Sequence, residues 1–111
     1  MNRRRNHAAA IDATAIDTAG PNGERRLVAP PHVLAAAQGE ETVLLDVERG
    51  KYYALNEVGT RIWNLVCQGE RFASIVDQVC TDYDVAPERA EQDAAALIRR
   101  LLSESLVEYE P

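Results

Sequence analysis

The chain has little of what catalysis is usually built from. Its 111 residues include two histidines and two cysteines. His7 lies near the start and His32 beside two prolines, and neither has a base, nucleophile or metal-ligand partner at a recognisable spacing. Cys67 and Cys80 have no third or fourth ligand close by, which argues against a metal site, and their helical phase predicts reduced, buried small hydrophobes. The GxSxG, HExxH, P-loop and GxGxxG patterns are all missing. No apolar run approaches the roughly 18 residues of a membrane-crossing helix. The opening MNRRRNHAAAIDATAIDTAG is basic at first but is interrupted by Asp12 and Asp17, unlike the continuous apolar core of a secretory signal. The expectation is a cytoplasmic, non-catalytic protein with no cofactor and no membrane association.

Charge narrows the partners. The net charge is −6, unevenly spread. Residues 1–26 hold five arginines against Asp12, Asp17 and Glu24, a balance of +2, so the remainder stands at −8. So acidic a body repels polyphosphate, since nucleic-acid binding depends on lysine and arginine displacing counterions. Neutral or basic partners are expected. The length suits one small domain, in which ~80 ordered residues would bury about 60% of their unfolded surface.

What is there centres on residues 43–66, VLLDVERGKYYALNEVGTRIWNLV, where the hydrophobic period changes. Val43, Leu45 and Val47 alternate with Leu44, Asp46 and Glu48. Glu48-Arg49-Gly50-Lys51 supplies a turn, and Lys51–Leu55 is rich in aromatic strand formers, so the run reads as a hairpin. From Val58 the spacing becomes helical through Ile62, Leu65 and Val66, with Asn56 placed as N-cap. Trp63 and Ile62 are assigned to packing.

Residues 1–26 have no sustained large-apolar periodicity, and Gly20-Pro21-Asn22-Gly23 gathers turn formers, which predicts a disordered tail; a weak helix over residues 8–19 is the alternative. The domain is expected over residues 27–111. After Pro30-Pro31, residues 32–38 read as helix by alanine content or as a first strand by position; a strand is preferred because an isolated hairpin is marginal. Gly69 closes the first helix. Phe72, Ile75, Val76, Val79, Cys80 and Tyr83 form the stripe of a second helix, and Pro87 opens a third whose stripe is Ala90, Ala94, Leu97, Ile98, Leu101 and Leu102. Residues 107–109 add a short extended tail. The fold class is α+β and winged-helix-like: a three-stranded antiparallel sheet followed by three α-helices.

A winged helix suggests a DNA-binding transcriptional regulator as one reading. The second helix, however, offers Arg71, Ser74, Asp77, Gln78, Thr81 and Asp82 outside its stripe, a set that suits solvent better than phosphate. The other reading is peptide binding by strand addition along Lys51–Leu55, an edge blunted by a single lysine. On periodicity alone, Tyr53, Leu55, Leu97, Ile98 and Leu101 read as ordinary core at least as well as groove.

LLDVERGKYYALNEVGTRIWNLV, followed by Asp82-Tyr83-Asp84-Val85 and Pro87-Glu88-Arg89-Ala90, resembles the PqqD family of precursor-peptide recognition proteins, and within it the stand-alone recognition elements of lasso-peptide biosynthesis. The resemblance covers about three quarters of the chain. It implies a domain that binds the leader segment of a ribosomally made precursor peptide as a strand added between the third strand and the third helix. The strand positions would be Lys51, Tyr52, Tyr53, Ala54 and Leu55, and the facing helix positions Ala90, Asp93, Ala94, Leu97, Arg100 and Leu101. It further implies a leader peptidase as partner, with a cyclase acting afterwards on the released core, and no activity in the recognition protein itself. Two features depart from the family: residues 1–26 exceed what the compact module needs, and Arg71 stands where a Ser or Thr cap is common.

Overall fold

The computed structural model describes residues 26–110. The tail expected over residues 1–26 lies outside them except for Arg26. The elements run β1 (Leu27–Val28), β2 (Val33–Gln38), β3 (Glu41–Asp46), β4 (Lys51–Leu55), α1 (Glu57–Cys67), α2 (Phe72–Tyr83), α3 (Pro87–Ser103) and β5 (Glu108–Tyr109). The first expected strand is therefore β2, and the third is β4.

Strands β2, β3 and β4 form an antiparallel sheet in that order. Two tight turns set its register. Gly39, at φ 65°, opens the two-residue turn between Gln38 and Glu41, where a side chain would meet the left-handed penalty. The second turn is held by Asp46, whose Oδ1 accepts the backbone N–H of Glu48 and of Arg49, each at 3.0 Å. Thr42, Leu44, Asp46 and Leu55 are buried, whereas Val43 and Leu45 are half-buried and Val47 is exposed. The more apolar set of β3 thus faces away from the helices. The cause lies at Leu55: it pairs with Thr42 and leads within two residues into α1, so the face it shares with Thr42 and Leu44 is the one α1 covers.

Helix α1 starts where Asn56 Oδ1 accepts the Gly59 N–H at 2.8 Å, satisfying one of the free first-turn amides. It buries Ile62, Trp63, Leu65 and Val66, each contributing roughly 1.5–3 kcal/mol of transfer free energy. It ends in a Schellman motif, with Glu70 N–H to Leu65 O at 3.0 Å, Gly69 N–H to Val66 O at 2.9 Å, and Gly69 at φ 83°. Helices α2 and α3 start without a side-chain cap at Arg71 and Ala86, and Pro87 opens α3, where its missing N–H costs nothing. The core closes over Ile75, Val79, Ala90, Ala94, Ala95, Leu97, Ile98 and Leu101.

Two features depart from expectation. Cys67 is exposed rather than buried, and Cys80 is half-buried. As the last residue of α1, Cys67 lies 100° past Val66 at the flank of the stripe. The second departure is that residues 107–109 do more than trail: β5 pairs antiparallel with β1, Leu27 opposite Tyr109 and Val28 opposite Glu108, and Glu110 N–H donates to Arg26 O at 2.8 Å.

Candidate functional site

Strand β4 is an edge of its sheet. Which of its backbone groups are free follows from register. Val47 N–H donates to His32 O at 3.0 Å, so the odd-numbered residues of β3 direct their amides and carbonyls toward β2. By the two-residue alternation of a strand, Thr42, Leu44 and Asp46 point theirs toward β4, where they meet Leu55, Tyr53 and Lys51. Tyr52 and Ala54 are left with N–H and C=O aimed off the sheet. Their side chains lie on the face away from the helices, where Tyr52 is 71% exposed. Tyr53 and Leu55 point to the helix side.

Helix α3 flanks this edge, and two contacts define how. At one end the Tyr53 hydroxyl donates to Glu104 Oε1 at 3.0 Å, tying β4 to the residue that caps α3. Glu104 also holds two arginines, with Arg49 Nη1 3.8 Å from Oε1 and Arg100 Nε 3.5 Å from Oε2. At the other end Gly59 of α1 sits between strand and helix. A Cβ there would lie 3.4 Å from Leu55 Cβ and 3.6 Å from Leu97 Cδ2, and 3.3 Å from the capping Asn56 Oδ1. The bare glycine lets α1 pack closely against both Leu55 of β4 and Leu97 of α3.

Electrostatics differ between these ends. Burial, and then the hydrogen bond to Glu104, push the Tyr53 phenol above its ordinary range. Near the start of α1 the Glu40 carboxylate raises Glu57, by like charge and by a shared hydrogen bond. Beside the Tyr53 network, Asp46 is fully buried; its Oδ2 receives no hydrogen bond and faces Arg49 Nε at 3.8 Å.

The residues singled out from sequence fall into three groups. Lys51, Tyr52 and Ala54 are exposed on the edge strand, with Tyr53 half-buried and Leu55 buried on its helix side. On α3, Ala90, Ala94 and Leu101 are fully enclosed in the core, and Leu97 is 7% exposed beside Gly59. Asp93 is exposed and paired with Arg89 Nε at 3.2 Å, while Arg100 joins the Glu104 cluster. Sequence reasoning did not select Glu104, Arg49 or Gly59. The roles of Glu104 and Arg49 arise from the end of α3 meeting the hairpin, 51 and 55 residues away in the chain, and that of Gly59 from α1 packing on Leu55 and Leu97, contacts that no local spacing announces.

Among the described residues no group of three His, Cys, Asp or Glu side chains could hold a metal ion, and no helix is long and apolar enough to cross a membrane. A cavity lined by Arg26, Leu27, Val28, Ala29, Cys67, Gly69 and Glu110 includes no residue of β4 or α3. Helix α2 carries no lysine or arginine, and its Asp82 pairs with Arg61 Nε at 2.7 Å, so the helix itself presents no basic surface suited to phosphate.

Comparison with known proteins places the fold. No curated protein matches the chain. Two solved structures do. TbiB1 in complex with the TbiA(β) leader peptide is 36% identical, with 73% of this chain and 94% of that one covered at a TM-score of 0.69. A lasso peptide synthetase B1 complexed with the leader peptide is 29% identical, with 77% and 98% covered at a TM-score of 0.67. The model of the family described as coenzyme PQQ synthesis protein D (PqqD) matches residues 41–107. That span runs from the first residue of β3 past the end of α3 and takes in both sides of the β4 edge, and the chain belongs to the PqqD family.

Proposed function

We propose that this protein is a non-catalytic recognition element that binds the leader segment of a ribosomally synthesised precursor peptide, most specifically a lasso-peptide precursor. The observation that carries the reading is the open backbone of Tyr52 and Ala54 on an edge strand tied through Tyr53 and Glu104 to the end of α3. A peptide strand added there would gain main-chain hydrogen bonds from those two residues. Its side chains opposite Tyr52 and Ala54 would lie on the outer face of the sheet. The one opposite Tyr53 would turn inward, toward the cleft between β4 and α3. Main-chain bonds would give affinity, and the inward positions would give selection. The similar proteins solved with leader peptides support leader binding as the function.

In this reading Lys51, Tyr52, Tyr53, Ala54 and Leu55 form the pairing edge, with Leu97 and Arg100 beside it. Ala90, Ala94 and Leu101 act from beneath by setting the position of α3, and Asp93 lies on its exposed flank. The bound leader is presented in the cytoplasm to a leader peptidase, with a cyclase acting later on the released core.

Fluorescence polarisation of labelled leaders, taken from precursor genes neighbouring this one, tests the proposal. Saturable binding at micromolar Kd or tighter, weakly dependent on salt and lost on scrambling, is expected. Failure to bind any neighbouring leader, together with strongly salt-dependent binding to duplex DNA, would overturn it.

A further inference from the structure

Among the described residues the large hydrophobic side chains left exposed are Leu34, Val47 and Tyr52, and all three lie on one face of the sheet. The register shows how. Leu34 pairs with Leu45, and Leu45 with Tyr52, so these residues form a row across the three strands on the side away from the helices. Val47, two residues past Leu45, falls on the same side by the alternation of a strand. The neighbouring row is Ala36, Val43 and Ala54, apolar as well but carrying only methyl groups on its two flanking strands. Neither row contains a charged side chain. Apolar residues scattered singly over a surface need no explanation, whereas two adjacent rows that run to an open edge do.

Both rows end at β4, on Tyr52 and Ala54, the two residues whose N–H and C=O leave the sheet. A strand added there is held in register with the rows, placing one of its residues opposite Ala54 and another, two positions away, opposite Tyr52. We propose, resting on the leader-binding reading, that these outward leader positions are selected as well as the inward one: the rows favour leaders that carry aromatic or branched apolar side chains opposite Tyr52 and Ala54. The Tyr52 ring packs against the residue directly across from it and reaches the other diagonally, while the Ala54 methyl leaves room for a bulky side chain above it. An edge whose outer face was merely solvated would accept polar residues at both positions. Tyr52 is thus a specificity-determining residue, exposed in the free protein because the leader supplies the next member of its row.

The test is a serine scan of the labelled leader encoded by the neighbouring precursor gene, titrated with the native protein and with Tyr52→Thr, which removes the ring but keeps a β-branched strand former. Within the paired segment, serine should weaken binding at consecutive positions, by about two- to fivefold at the outward ones. Against Tyr52→Thr the outward losses should largely vanish while the inward loss persists. Tyr52 is exposed, and a far-UV thermal melt coincident with that of the native protein establishes that the variant is folded. Losses confined to alternate leader positions and unaltered by Tyr52→Thr would overturn the outward selection and leave leader recognition standing. Failure of the unmodified leader to bind the native protein would overturn both.

Discussion

Tyr53 is the residue at which strand and helix meet, and its hydroxyl gives a direct handle on that contact. Burial and Glu104 raise its phenol above the ordinary value near 10, and Tyr83 is raised too, first by burial and then by Glu57. The folded state therefore holds these protons longer than the unfolded chain does. The associated stability is complete below about pH 10 and declines as pH rises through the folded values. An absorbance titration at alkaline pH should lose one late-ionising tyrosine on Tyr53→Phe. An unchanged late phase in the variant would mean that the Tyr53–Glu104 bond does not persist in solution. At this scale Asn56 was readable from sequence, because a cap acts on amides three residues away. Glu104 and Gly59 were not, because each acts on residues that are remote in the chain or that only packing brings near.

Among the elements, β4 gives the sharpest test because its two sets of amides do different work. Ala54 directs its N–H off the sheet, whereas Tyr53 bonds to β3. A proline is tolerated where the lost N–H faces outward and disruptive where it breaks the ladder. Ala54→Pro should retain a cooperative melt yet lose leader binding by at least about tenfold. Tyr53→Pro should unfold the hairpin, with loss of the melt itself. A second element-scale prediction concerns the end of α3. Leu106 N–H reaches Leu101 O at 2.8 Å and Ser105 N–H reaches Leu102 O at 3.0 Å, with Ser105 at φ 61°. This is a Schellman ending with a non-glycine residue in the left-handed region. Ser105→Gly should raise stability by about 0.5–1 kcal/mol in urea unfolding, since glycine occupies that region without steric penalty. The three helices and β3 were legible because each carries a period, β4 because of its aromatic strand formers, and β2 only from its position before the hairpin. Which face of β3 is covered was not, because Val43, Leu45 and Val47 are more apolar than Thr42, Leu44 and Asp46. The decision is made instead by the covalent step from Leu55 into α1.

For the whole molecule, the part sequence did not reveal is the clasp of β1 with β5. Strands of two residues have no period to read. The clasp nevertheless lies against Leu27, which is 6% exposed in the core. Deleting residues 108–111 should lower Tm by at least about 5 °C. Leader binding well below the melt should remain unchanged, because β5 contributes nothing to the β4 edge. Loss of binding with an intact melt would contradict that separation.

The bond from Glu110 N–H to Arg26 O has a topological meaning of its own. It brings the two ends of the described chain to one point, so the domain is close to a closed ring that happens to be opened there. In a ring the cyclic order of elements matters and the starting point does not. A short linker across that gap, with a new opening in the turn between Gln38 and Glu41, would yield a permuted chain carrying the same β4 edge between the same neighbours.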